Sequence, residues 1–142
     1  MTERVPSDHD SVTSFRASIA RSGGTRRPCL RLPDDAAVEE GDVVRLLLDG
    51  TTTFARVSAD SGGLLVRGAY DNERLAREPR EGENRLVEWC DRHDRGPDDA
   101  VELDELDPGY CYGLREPGDR TVYDVPARPN ESLRDIASSF RD

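Results

Sequence analysis

Five arginines stand close together near the start of the chain: Arg16, Arg21, Arg26, Arg27 and Arg31. A guanidinium is a planar fork of N–H donors that matches the oxygens of a phosphate two at a time, and it stays charged at any physiological pH. Their setting sharpens the point. Residues 1–33 carry a net charge of +3, against −4 for residues 34–70 and −9 for residues 71–142, so the N-terminal quarter is the one positive region of an acidic protein. One reading is an anion-facing surface for RNA or DNA. A second is a basic loop that docks on an acidic protein partner. A third has these arginines paired with carboxylates of the chain's own C-terminal half.

Aromatic residues offer a companion to that surface. Tyr110 and Tyr112 lie two apart in an extended stretch and so share a face, with Tyr123 arriving from the next strand. Exposed, the three rings would stack on bases, as on sheet surfaces that bind single strands. Packed inward with their hydroxyls at the rim, they would be core.

Catalytic signals are scarce. No glycine-rich nucleotide loop, metalloprotease helix motif or Gly-x-Ser-x-Gly elbow occurs. The histidines are His9, in a polar leading segment, and His93. Cys90 and His93 share a helical face but supply only two metal ligands, so Cys29, Cys111 and His9 would have to complete a site from elsewhere. No metal and no cofactor are assigned. A nucleophilic role would fall to Cys29 or Cys111. Three cysteines, an odd number, are read as free thiols.

The elements that must hold these residues follow from periodicity. Residues 1–11 are polar, contain Pro6 and are expected to form a flexible tail. Val12 to Ala20 alternates through Phe15, Ala17 and Ile19, which turns Arg16 and Ser18 outward. A basic loop, 21–27, leads to a strand at Cys29–Leu32 that Pro33 ends. Asp34–Glu40 is long enough for about two helical turns. Val43–Leu48 is too continuously apolar for an exposed strand and reads as a central one. Asp49-Gly50 is a strong hairpin signal, because both residues tolerate positive φ. Thr51–Ser58 returns, and a turn at 60–63 starts a further strand at Leu64. One helical turn is expected around Leu75, then an amphipathic helix over 84–94, with Leu86, Trp89, Cys90 and His93 on one face, closing one end of the sheet. Strands at 101–106, 110–114 (with Gly113 a candidate bulge) and 121–125 are expected as an antiparallel meander. A final amphipathic helix over 131–140 carries Leu133, Ile136, Ala137 and Phe140 on one side.

The predicted fold is therefore α+β: mainly antiparallel β, barrel-like, with two amphipathic helices at 84–94 and 131–140. Beyond the tail, residues 12–142 form a single domain. Residues 12–70 make a barrel-like half, and residues 71–142 add a helix, the meander and the last helix.

Composition sets the solvent. All 20 basic residues are arginine, with no lysine, against 30 acids, for a net charge of −10. Only 35% of residues are hydrophobic, a balance that would suggest disorder were the strand and turn punctuation less regular. In molar salt the Debye length falls to about 3 Å and acidic self-repulsion is screened. The surface is accordingly read as that of a halophile. With no basic-then-apolar leader and no apolar run of about 20 residues, the expected location is cytoplasmic, with no membrane partner.

The central stretch also carries a resemblance. Arg31-Leu32-Pro33, a short acidic spacer, Gly41-Asp42-Val43-Val44 and the hairpin that follows resemble one half of a cradle-loop barrel, the group that includes AbrB-type swapped-hairpin regulators and double-psi barrels. The resemblance covers about a third of the chain. It implies a small barrel, compatible with a homodimer, whose ligand face need not be the regulators' own. The whole chain resembles an uncharacterised family of small haloarchaeal proteins.

Overall fold

A computed structural model describes residues 2–21, 27–78 and 82–127. Nine strands and two helices occur among them: β1 (Thr2–Pro6), β2 (Thr13–Arg21), β3 (Pro28–Arg31), β4 (Val43–Leu48), β5 (Thr51–Asp60), β6 (Gly63–Val66), α1 (Glu73–Arg77), α2 (Arg85–Arg92), β7 (Ala100–Asp107), β8 (Cys111–Arg115) and β9 (Val122–Pro126). Seven of the strands close into a barrel in the order β2-β3-β6-β5-β4-β8-β7. Neighbours are antiparallel except β4 and β8, which run parallel with Arg45 beside Cys111 and Leu48 beside Leu114. The fold is thus α+β and barrel-like, as the periodicity predicts. β7 and β8 complete the sheet that β2–β6 begin, so both halves of the chain share one closed surface. The helix expected over 131–140 lies outside the described residues.

Alternation decides what faces inward. Ala17, Ile19, Leu30, Val44, Leu46, Leu48, Ala55, Val57, Val66, Leu103, Tyr112 and Leu114 fill one buried cluster. At β4 the side chains of Val44, Leu46 and Leu48 point in. Leu47 points out and is still only 3% exposed, because a second layer covers it. That double burial explains why β4 is apolar on both faces except at Arg45. The two-residue loop Asp49-Gly50 has φ of 50° and 84° and returns the chain so that Leu48 faces Thr51. This is the twist-matched hairpin turn that asparagine, aspartate and glycine permit.

Both ends of the barrel are shut. Helix α2 seals one with Leu86, Trp89 and Cys90. Its first turn is capped by Asn84, whose Oδ1 accepts from the N–H of Leu86 at 3.1 Å and from that of Ala69 at 3.2 Å. Gly68 makes room for this cap, since a Cβ there would lie 2.5 Å from Asn84 Nδ2. The other end is covered by residues 33–40, where two helical turns were expected and a run of turns is found. The cause is tertiary. Ala36 and Val38 turn onto the apolar interior, and the backbone N–H groups go elsewhere: Ala37 to Glu105 Oε2 at 3.2 Å and Glu39 to Asp42 Oδ2 at 2.9 Å. The interior void is about 10 Å³, room for at most about one water, so the barrel is a packed core and holds no ligand chamber.

The N-terminal segment corrects the expected tail. β1 pairs antiparallel with β9 along its length, Val5 opposite Tyr123. This ribbon lies over the outer face of β4, β8 and β7, burying Leu47, Cys111 and Tyr123, with Leu106, Tyr110 and Val125 packed against them. The expected three-stranded meander is corrected with it: β7 and β8 form a hairpin, but β9 leaves to pair with β1, and β4 takes the free edge of β8. Gly113 is not a bulge; the irregularity falls between Glu105 and Asp107. Its missing side chain instead lets the Tyr123 ring lie on β8, where a Cβ would come within 2.3 Å of that ring.

Beneath the ribbon sits Asp104, fully buried. It accepts from Arg115 Nε at 2.7 Å, from the Tyr123 hydroxyl at 2.6 Å and from the Ser14 hydroxyl at 2.5 Å. A buried carboxylate is tolerated only when paired and hydrogen-bonded in this way. Burial, and the carboxylate its hydroxyl points at, push Tyr123 well above the usual phenol range. No helix among the described residues is long and apolar enough to cross a membrane.

Candidate nucleic-acid interface

On the side away from the ribbon, β2 and β3 present the arginines. Arg16 stands on the outer face of β2, exposed, opposite Glu102 of β7 in the strand register, yet the two make no ion pair. Two residues on, Ser18 lies between Arg31 of β3 and Ala100 of β7. These positions, with Pro33 and Asp98, line an open groove of about 390 Å³. Arg21 and Arg27 are exposed at the far end of the β2–β3 hairpin, where Arg21 pairs with Pro28. Neither makes an ion pair among the described residues. Arg26 lies outside them.

Arg31 differs from its neighbours. Its guanidinium holds Asp60 through two parallel bonds of 2.8 and 2.9 Å and donates a third to the Gly63 carbonyl at 3.1 Å. Those bonds hold the Asp60 carboxyl at about 2, with Arg31 itself raised. Of the five arginines, then, the structure brings Arg16 and Arg31 to one groove and ties up Arg31. It leaves Arg16, Arg21 and Arg27 without a carboxylate partner among the described residues. Elsewhere Arg45, Arg85, Arg92, Arg95 and Arg115 are each held by an acidic side chain.

The tyrosines do not join them. Tyr112 points into the barrel, where its hydroxyl bonds Glu105 Oε2 at 3.0 Å, and burial pushes it up to about 12. Tyr123 is spent on Asp104. Tyr110 precedes β8, so the two-residue alternation does not extend to it. It belongs to the outer cluster, with the Arg45 guanidinium 4.4 Å from its ring centre and its hydroxyl donated to the Ala127 carbonyl. Of the two readings of these rings, packing prevails: Tyr112 points into the barrel, while Tyr110 and Tyr123 belong to the outer cluster beneath the ribbon, so the three present no shared exposed face.

The cysteines are free and buried. Burial pushes Cys90 and Cys111 up to about 12 and raises Cys29, so none carries an appreciable thiolate near neutrality. Cys90 and His93 also part company: Cys90 packs in the core, while His93 stacks on Trp89 and spends both ring nitrogens on carboxylates, Glu116 at 2.8 Å and Asp49 at 2.9 Å. Burial opposes charge on His93, but those two hydrogen bonds outweigh it and raise the imidazole above its ordinary value. Arg92 on Asp49 and Arg95 on Glu116 complete a latch between α2, the Asp49-Gly50 turn and the end of β8. No group of three or more residues suited to a metal occurs among the described residues.

Two residues went unpredicted: Asp98, which lines the groove, and Asp60, which holds the groove residue Arg31. Asp60 was read only as part of a turn, and Asp98 only as part of a loop. Asp98 has a φ of 75°, an uncommon conformation for a residue other than glycine. The Gly96-Pro97-Asp98-Asp99 sequence is the signal that marks it as a tight turn. No curated protein and no solved structure matches the chain. A family model does match, over residues 1–140, and the chain belongs to that family of unknown function, DUF7112.

Proposed function

We propose that the protein binds nucleic acid through the arginine-bearing face of β2 and β3, in a structural or regulatory role in the cytoplasm of a halophile. One observation carries the reading: Arg16, Arg21 and Arg27 are exposed without ion pairs among the described residues and lie in the one net-positive stretch of a chain with ten more acids than bases, whereas Arg56, Arg74 and Arg77, also exposed without ion pairs, lie in stretches where acids outnumber arginines. That local excess of unpaired positive charge favours an external anion. The stretch from β3 to β6, with Pro33 and the Gly41 turn between strands, also fits the cradle-loop half that the AbrB-type resemblance implies.

Salt constrains how the affinity arises. Counterion release contributes little when the bulk is already molar in salt. Binding must then come from two-pronged guanidinium contacts to phosphate and from bases stacked on guanidinium planes, since Tyr112 and Tyr123 are buried. The test is binding of labelled RNA and DNA at molar salt, wild type against Arg16→Ala/Arg27→Ala. The expected result is measurable binding by the wild type and a loss of at least about tenfold in the variant. An absence of binding by the wild type disposes of the proposal, and capture by an acidic peptide instead favours the protein-docking alternative. The halophilic setting has its own readout: the near-ultraviolet circular dichroism signal is expected to collapse on dilution to low salt.

A further inference from the structure

Asp98 is out of place in an anion-binding groove. It lines the same groove as Arg16, is exposed, and its carboxylate has no partner among the described residues. It is also firmly presented. Its own N–H donates to the Ile19 carbonyl at 2.8 Å, and the Ile19 N–H donates to the Asp99 carbonyl at 2.9 Å. The turn is closed by Asp99 N–H to the Gly96 carbonyl at 3.0 Å and by Gly96 N–H to Asp99 Oδ2 at 2.8 Å. Its left-handed backbone, φ 75°, is held by those bonds. A groove-lining residue kept in an uncommon conformation motivates a functional hypothesis.

A carboxylate repels phosphate. It suits a ligand that brings a hydrogen-bond donor beside its anion. On a single nucleic-acid strand such donors are the ribose 2′-hydroxyl and groups on the bases, and the 2′-hydroxyl is what distinguishes RNA from DNA. Carboxylates recognise ribose hydroxyls in this way in dinucleotide-binding proteins. The spacing suits one phosphate and a neighbouring sugar. Asp98 docks at Ile19, three residues along β2 from Arg16, or about 10 Å at about 3.3 Å per residue, and both residues line the same groove. Its volume, about 390 Å³, falls within the range of about 300–1,000 Å³ typical of small-ligand pockets.

We infer that the groove selects RNA over DNA, Arg16 holding a phosphate while the Asp98 carboxylate accepts a hydrogen bond from a ribose 2′-hydroxyl. This rests on the nucleic-acid reading of the β2–β3 face. The probes are three oligomers of one length: uridine, deoxyuridine and 2′-O-methyluridine. The first two differ only in the 2′-hydroxyl, and the third keeps the oxygen but loses the donor. Wild type is expected to bind the uridine oligomer about tenfold more tightly than either of the others at molar salt. Asp98→Gly removes the carboxylate while suiting the left-handed backbone, so the fold is retained. In it the preference should vanish, with deoxyuridine binding unchanged or tighter. Arg16→Ala should weaken all three alike. Equal binding of the three oligomers by wild type, or a ribose preference that survives in Asp98→Gly, overturns the selection by Asp98 while leaving nucleic-acid binding in place. Failure of wild type to bind any of them overturns both.

Discussion

Arg115 on β8 and Arg16 on β2 both project from the outside of the barrel, and they differ in what surrounds them. Arg115 lies under the β1–β9 ribbon, 14% exposed, bonded to the fully buried Asp104. Arg16 lies on the bare side, exposed and without an ion pair. The covered face satisfies its charges internally and gains stability from them. The bare face leaves charge available to a ligand and contributes little to holding the fold. These two arginines thus differ in task according to whether a second layer covers them, although Arg31 on the bare face is itself held by Asp60.

The most severe way to break that contrast is at Asp104. Asp104→Ala strips the partner from Arg115 and from the Tyr123 hydroxyl and should cost about 3–5 kcal/mol in denaturant unfolding at molar salt. A loss below about 1 kcal/mol would mean that the ribbon does not depend on this cluster. Next in size is Asp60→Ala, which frees Arg31 on the bare face. RNA affinity should rise about fivefold, the equivalent of about 1 kcal/mol, while stability changes little. Unchanged affinity would place Arg31 outside the binding surface.

The smallest effect belongs to the latch on α2, which is partly covered. His93 is raised above its ordinary value by Glu116 and Asp49 against the opposing effect of burial. Its contribution to stability is therefore complete below about pH 6.5, the value in the unfolded chain, and is lost as pH rises through the higher folded value. The stability difference between wild type and His93→Gln should shrink as pH rises above about 6.5. A difference that stays constant over that rise would show that the imidazole acts through packing on Trp89 alone.

Much of this was legible where the signal is local. Asp49-Gly50 announces a hairpin from two residues, Val43–Leu48 points to double burial because Arg45 is its one polar residue, and the spacing of Leu86, Trp89 and Cys90 gives α2. The ribbon was not legible, because β1 is short and polar and its partner lies at the other end of the chain. The segment 34–40 misled for a related reason: its composition suits a helix, but Glu105 and the open barrel end compete for its backbone and its apolar side chains. In the groove, the outward direction of Arg16 followed from strand alternation. The Arg31–Asp60 pair did not, since the two meet only when β3 and β5 fold onto β6. The place of Asp98 depends on the turn into β7 docking at Ile19, a contact between distant segments that no periodicity announces.

The parallel seam between β4 and β8 governs how this chain reaches its native state. A ribosome must release nearly everything up to Arg115 before that seam can form. Until then β2 and β4 stand as open edges with unmatched peptide groups, available to any other extended segment. Pairings between distant segments fold slowly, so refolding should run in milliseconds to seconds and lose yield as protein concentration rises. The interior that leaves no room for a ligand is thus sealed late, with only the β1–β9 layer left to form after it.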